Sequence, residues 1–254
     1  MSAAAPRAET LPVVLLHGWG MHGGVWADLV TRLGGSVGAL APDLPGHGHS
    51  PMVEPYDIDV LVDQIAGAAP ARCTVAGWSL GGQLALAWAR RHPQQVERLV
   101  LIGTTPCFVS APDWPHGVAE EVFAQFATDL TADAARTLRR FLLLETRGDA
   151  EARAVARQLD DALAARPLPG REVLAQTLLW LQSTDLRTTL AEVMQPALIL
   201  HGDRDQLAPP AAGAYLASGL PHGRLEMIAG AAHAPFISAP QAVCSLMTAF
   251  CNER

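Results

Sequence analysis

Gly77-Trp78-Ser79-Leu80-Gly81 sets a serine between two glycines in a G-x-S-x-G pentapeptide. A serine hydroxyl is a weak nucleophile until a base takes its proton and an acid orients that base. The pentapeptide follows the run Cys73-Thr74-Val75-Ala76 and precedes a helical stretch, Leu80 to Arg91, that stops before Pro93. Strand, sharp turn and helix would push the Ser79 hydroxyl out at the top of a sheet, beside a helix N-terminus. Glycines belong at such a turn because a Cβ on either side of the serine would strike the neighbouring strand or helix.

An acid and a base follow in the order the chemistry requires. The apolar run Ala197-Leu198-Ile199-Leu200 leads into His201-Gly202-Asp203-Arg204-Asp205-Gln206-Leu207-Ala208-Pro209. Both Asp203 and Asp205 could supply the carboxylate. Asp203, directly after Gly202, reads more simply as a turn residue, so Asp205 is preferred. Arg224-Leu225-Glu226-Met227-Ile228 reads as the last strand and leads to Gly230-Ala231-Ala232-His233. His233 would take the Ser79 proton and return it to the leaving group, with Asp205 holding its tautomer. An oxyanion hole is expected from two backbone N–H groups, those of Leu80 and of Trp19 in the turn His17-Gly18-Trp19-Gly20. His17 and His22 lie near that turn, but a structural role fits them better than a catalytic one.

These residues need a frame. Strands are expected at 13–16, 37–41, 72–77, 96–102, 197–201 and 224–228. Helices are expected at about 24–33, 58–69, 80–91, 210–219 and 240–251. Strands alternating with helices mean a parallel sheet covered on both faces. The strand runs are continuously apolar rather than alternating, which fits burial on both sides. The block from about 105 to 190 breaks the rhythm. It has no convincing strand and four helical patterns, Ala119–Leu130, Ala132–Glu145, Glu151–Ala164 and Arg171–Gln182, with Arg166-Pro167-Leu168-Pro169-Gly170 as punctuation. The expected organisation is a core of 1–104 and 191–254 with a helical cap at 105–190 over the reactive serine.

With 254 residues, half of them hydrophobic, a large core needs no disulfide or metal. The four cysteines, Cys73, Cys107, Cys244 and Cys251, are scattered without a C-x-x-C and suit a reducing cytosol. Met1 to Thr10 lacks a basic segment followed by an apolar one, so no signal peptide is expected there. No apolar run approaches the ~18 residues of a membrane helix. The net charge of −7 argues against nucleic acid as a partner. All 18 basic residues are arginines. Six of them (136, 139, 140, 147, 153 and 157) fall in segment 136–157 against three acids, Glu145, Asp149 and Glu151. Arg136 and Arg140 share a helix face, as do Arg153 and Arg157. That pattern reads as an ordinary solvated surface or as a docking patch for an acidic partner.

The whole chain resembles the pimeloyl-[acyl-carrier protein] methyl ester esterases of biotin synthesis, within the α/β-hydrolase superfamily. The resemblance rests on Leu15-Leu16-His17-Gly18-Trp19-Gly20, Asp43-Leu44-Pro45-Gly46-His47-Gly48, Gly77-Trp78-Ser79-Leu80-Gly81-Gly82, Pro106-Cys107-Phe108, Gly202-x-x-Asp205-x-x-x-Pro209 and Ala231-Ala232-His233-Ala234-Pro235-Phe236-Ile237-Ser238. It implies an α/β-hydrolase fold, a mostly parallel sheet with helices on both faces and an inserted helical cap. It implies Ser79, Asp205 and His233 as triad and Trp19 and Leu80 as oxyanion hole. It implies an acyl site lined by Trp19, Ser79, Leu80, Phe141, Leu142, Leu143, Leu144, Glu145 and His233. It implies that Arg136, Arg140, Arg153 and Arg157 bind acyl-carrier protein. Glu145 departs from the pattern, standing where a member of the family has glutamine. The strands that open larger α/β-hydrolases are barely represented ahead of Val13.

The expected activity is hydrolysis of the methyl ester of pimeloyl-[acyl-carrier protein] by a monomeric cytoplasmic serine esterase with no metal or organic cofactor. A broad short-chain esterase, a C–C bond hydrolase and a non-catalytic ligand-binding protein are the alternatives. A dehalogenase is disfavoured, since that chemistry wants a carboxylate where Ser79 stands.

Overall fold

The computed structural model describes residues 11–34 and 36–253, so the reading of Met1 to Thr10 lies outside the described residues. Its strands are β1 (Val13–Leu16), β2 (Ala39–Leu40), β3 (Cys73–Trp78), β4 (Val96–Ile102), β5 (Ala197–Gly202) and β6 (Gly223–Ile228). They form one sheet in the order β2-β1-β3-β4-β5-β6, every neighbouring pair parallel. Parallel neighbours require crossovers, and helices supply them. These are α1 (Ala27–Leu33), α2 (Ile58–Ala68), α3 (Leu80–Arg91), α4 (Glu120–Ala132), α5 (Ala134–Glu145), α6 (Ala152–Ala164), α7 (Arg171–Ser183), α8 (Pro210–Gly219), α9 (Pro235–Ser238) and α10 (Pro240–Cys251).

Successive strand residues point to opposite faces, and here both faces are dry. Val13, Leu15, Ala76, Trp78, Val100, Ile102, Leu198 and Leu200 join one apolar cluster, which includes residues of α1, α10 and the helices between β4 and β5. Val14, Leu16, Val75, Leu99, Leu101, Ala197 and Ile199 join the other, with residues of α2, α3 and α8. That two-sided burial is why the strands read as unbroken apolar runs. Cys73 and Cys244 are buried in these clusters, and all four cysteines are free thiols.

Two elements differ from expectation. The strand expected at 37–41 is only Ala39–Leu40. Val37 still donates to Leu33 at the end of α1, and Pro42 has no N–H to extend the ladder. The helix expected at 24–33 begins as a 3₁₀ turn, Gly23–Trp26, whose first turn is capped by the His22 ring. Between β4 and β5 lie α4 to α7, close to the four expected segments, with isolated bridges at Cys107–Asp185 and Val109–Val118. Because the strands are parallel, the carboxyl ends of β1, β3, β5 and β6 lie at the same end of the sheet, and the segments that follow them carry Trp19, Ser79, Asp205 and His233.

Candidate active site

Ser79 follows β3 directly and is the only described non-glycine residue with positive φ, at φ 57° and ψ −117°. Such a backbone is costly and persists only where its surroundings fix it. Its N–H donates to Ile102 of β4 at 3.0 Å, and its carbonyl accepts from Gly82 at 2.9 Å. The glycines are required by contact. A Cβ on Gly77 would lie 2.2 Å from the Gly81 oxygen, and one on Gly81 would lie 2.3 Å from the Leu16 oxygen. One on Gly82 would strike the Thr104 side chain.

His233 and Asp205 meet from neighbouring strand ends. His233 Nδ1 lies 2.7 Å from Asp205 Oδ2, and neither side chain has exposed area. A carboxylate can only accept, so Nδ1 carries the proton and Nε2 is left as the basic nitrogen. Asp205 Oδ1 accepts from the N–H groups of Leu207 and Ala208, both at 2.9 Å. Burial pulls the His233 pKa down, but the charge and hydrogen bond of Asp205, with a further contribution from Glu145, raise it above the ordinary value. Ser79 Oγ and His233 Nε2 are both buried with no protein hydrogen-bond partner. Of the two candidate acids, Asp205 is the one at hydrogen-bonding distance from His233. Asp203 is exposed and accepts from Gly230 N–H at 2.7 Å, closing a turn.

The backbone of the histidine loop is fixed on several sides. Trp78 Nε1 donates to the His233 carbonyl at 2.8 Å, and the His233 N–H donates to the Glu145 carbonyl at 3.1 Å. Asp149 Oδ2 accepts from Ala232 N–H at 2.8 Å, while its Oδ1 caps Glu151. Asp149 was not among the residues picked from sequence. Its only local signal is an Asp three residues before the start of α6.

Trp19 and Leu80 are buried, and among the described residues neither N–H donates to a protein acceptor. Buried N–H groups without a protein acceptor are free to bond a ligand oxygen. Trp19 is held by its indole, which donates to Leu174 of α7 at 3.1 Å, and by an edge-to-face contact with Phe141 at 4.9 Å. The nearby histidines are structural. His17 Nε2 accepts from Leu44 N–H at 3.0 Å, and burial keeps the ring neutral. His22 caps Gly24 and bonds the Ala162 carbonyl of α6 at 2.7 Å, so it joins β1's loop to the helical segment. Asp43 does the same by pairing with Arg166.

On α5, Phe141 and Leu142 are buried, Leu144 is half-buried and Glu145 has no exposed area. Leu143 does not join them. It is 62% exposed on the outer face, beside Arg140 and Leu144. A helix turns 100° per residue, so five consecutive positions cannot all face one site. Arg136, Arg140, Arg153 and Arg157 are exposed. Arg140 pairs with Asp129 and stacks on Phe126, and Arg139 pairs with Asp160 at 3.1 Å. Arg136, Arg153 and Arg157 make no ion pair among the described residues. Of the three acids in segment 136–157, Glu145 and Asp149 are buried and Glu151 is exposed, while Asp129 and Asp160 from outside the segment offset Arg140 and Arg139.

No helix among the described residues is long and apolar enough to cross a membrane, and no described cluster of His, Cys, Asp or Glu has metal-site geometry.

The model of the alpha/beta hydrolase family matches residues 13–246. Among curated relatives, a pimeloyl-[acyl-carrier protein] methyl ester esterase from Xanthomonas axonopodis pv. citri is 45% identical over 94% of this chain and 94% of its own length. Relatives of the same name from Aromatoleum aromaticum and Nitrosomonas europaea are 43% and 39% identical over 90% and 93% of this chain and 93% and 94% of theirs. Among solved structures, an esterase from Exiguobacterium antarcticum is similar at a TM-score of 0.85 and 22% identity, covering 96% of this chain and 92% of its own. A bromoperoxidase from Bacillus anthracis is similar at 0.86 and 21%, covering 97% and 94%. Different activities on one backbone mean that these structures speak for the fold alone.

Proposed function

The chain belongs to the α/β hydrolase family, alongside the pimeloyl-[acyl-carrier protein] methyl ester esterases, and from that premise we propose that it hydrolyses the methyl ester of a carrier-bound pimeloyl group in biotin synthesis. The observation that carries the substrate is identity of 39–45% over nine-tenths or more of the chain to relatives bearing that one name. The observation that supports the chemistry is the pairing of a strained, buried Ser79 with an Asp205-held His233.

In the proposed reaction Ser79 Oγ attacks the ester carbonyl carbon while His233 Nε2 takes the hydroxyl proton. The carbonyl oxygen becomes an oxyanion facing the N–H groups of Trp19 and Leu80. Collapse breaks the bond to the methoxy oxygen, which leaves as methanol with the proton from His233. Water then attacks the acyl-serine, with His233 again the base, releasing the carboxylate and restoring Ser79. Asp205 stabilises the imidazolium at each proton transfer. We place residues 105–190 as a cap that covers the acyl chain, with Trp19, Phe141, Leu142, Leu144 and Glu145 toward the site and Leu143 outside. Arg136, Arg140, Arg153 and Arg157 receive the acidic carrier on the outer face. The enzyme works as a cytoplasmic monomer without metal or cofactor.

Complementation tests this. A biotin-requiring strain lacking its own esterase should grow without biotin when it carries this chain, and not when it carries Ser79→Ala. Growth with both would remove the serine mechanism. Growth with neither, from soluble protein that hydrolyses simple esters, would favour a broad esterase.

A further inference from the structure

Glu145 is the last residue of α5, and it is buried beside the site with nothing to bond. Its relative exposure is 0%, and neither carboxyl oxygen has a hydrogen-bond partner. Buried carboxyls are normally satisfied, so a fully orphaned one in a well-packed wall calls for an explanation. Its backbone ties it to the reacting centre, because the Glu145 carbonyl accepts the His233 N–H at 3.1 Å. Its carboxyl also interacts electrostatically with His233 and Asp205. Four orphaned polar side-chain atoms therefore belong to one neighbourhood: Ser79 Oγ, His233 Nε2 and the two oxygens of Glu145.

We propose that Glu145 is a substrate-contacting, specificity-determining residue that works in its acid form, donating its O–H to an oxygen of the bound ester. Its anion, in the same dry site, disfavours negative charge on the substrate, whether the tetrahedral oxyanion or a free carboxylate. The site thus takes an uncharged ester and repels its charged product once Glu145 ionises. This inference rests on the ester-hydrolase reading but not on the carrier-bound substrate.

The surroundings favour the acid form. Burial pushes the carboxyl up to about 8, the charge of Asp205 adds to that, and a protonated His233 opposes it. The other titratable groups nearby do not neutralise a Glu145 anion. Asp149, after α5, is engaged with the N–H groups of Ala232 and Glu151. His201 of β5 is held neutral by burial, and its Nε2 bonds the Ala208 carbonyl at 2.7 Å. The arginines of α5, Arg136, Arg139 and Arg140, are all exposed. A neutral carboxylic acid has one donor, and a bound ester offers oxygen acceptors.

The test compares wild type with Glu145→Gln and Glu145→Leu on methyl butyrate, a small uncharged ester, with methanol release followed across pH. Wild-type kcat/KM should break near the Glu145 titration and fall about tenfold per pH unit above it. Glu145→Gln keeps a donor without a titration, so its kcat/KM should lose the break and stay above that of Glu145→Leu. Glu145→Leu keeps the volume but has no donor, so its KM should rise about tenfold with little change in kcat. Identical basic limbs in wild type and Glu145→Gln would overturn the proposal, as would an unchanged KM in Glu145→Leu. A second measurement does not depend on turnover. In Ser79→Ala labelled with ¹³C at the glutamate carboxyls, saturating methyl butyrate should raise the Glu145 titration midpoint. No change on saturation would overturn the contact, even if the natural substrate proves to be a different ester.

Discussion

At the ends of β5 and β6, Asp205 and His233 meet at 2.7 Å with no exposed atom between them. On the outer faces of α5 and α6, Arg136, Arg153 and Arg157 stand in solvent with no ion pair among the described residues. Both regions concentrate charge. In the first, backbone donors fix Asp205 and Asp205 fixes His233, and a lost partner leaves a buried ion in a low dielectric. In the second, charges are mobile and screened by salt, so each one matters little by itself. The difference teaches where chemistry and recognition reside. Rigid buried charge suits bond making, and soft exposed charge suits the encounter with the carrier proposed above.

The sharpest way to break the comparison is at the buried end. Ser79→Ala should fold normally, by thermal melting, and lose at least ~10³-fold in kcat. Asp205→Asn should cost about 10²–10⁴-fold, since the amide cannot hold the Nδ1–H tautomer. Asp203→Asn should stay within about threefold, because its carboxyl only closes a turn at Gly230. Steady-state kinetics on a simple ester measure all three. Equal losses at Asp203 and Asp205 would remove the distinction between an exposed turn acid and a buried orienting acid.

This contrast also sets what could be read from sequence. The elbow was legible because Gly77, Gly81 and Gly82 are forced by contacts within a few residues of chain and its adjoining strands. The strands were legible because both sheet faces are buried. The choice of Asp205 followed from spacing. Other features depend on contacts distant in sequence and left little local trace. Asp149 matters through Ala232, 83 residues away. The Asp43–Arg166 tie spans 123 residues. The resemblance implies 141–145 as one block, whereas helical rotation turns Leu143 outward while burying Glu145. The shortness of β2 was set by Pro42 and by the way Val37 stays with α1.

At the exposed end the expected effects are smaller. Raising salt from about 0.05 M to about 0.5 M should raise KM for the carrier-bound ester several-fold and leave a small ester unchanged. Equal responses would make the arginine face an ordinary solvated surface.

Glu145 sharpens the boundary between the two regions. Its pKa is raised in the folded protein, so its contribution to stability is fully present below the ordinary carboxyl value of 4.5 and is lost as pH rises toward about 8. Glu145→Gln should therefore gain stability over wild type across that window, by up to about 1.4 kcal/mol per pH unit, and no further above it. Chemical denaturation at a series of pH values reads the difference. A constant offset between the two proteins would mean that Glu145 titrates in the folded protein at its ordinary carboxyl value.

The central claim is that a generic serine site is directed to a carrier-bound ester by the arginine face of its cap. The most direct measurement is kcat/KM for pimeloyl-carrier methyl ester and for methyl butyrate, in wild type and in a variant with Arg136, Arg140, Arg153 and Arg157 all changed to glutamate. The account predicts a loss of at least ~10-fold on the carrier-bound ester, carried by KM, with methyl butyrate turnover unchanged. An equal response of both substrates, or no response of either, would contradict it.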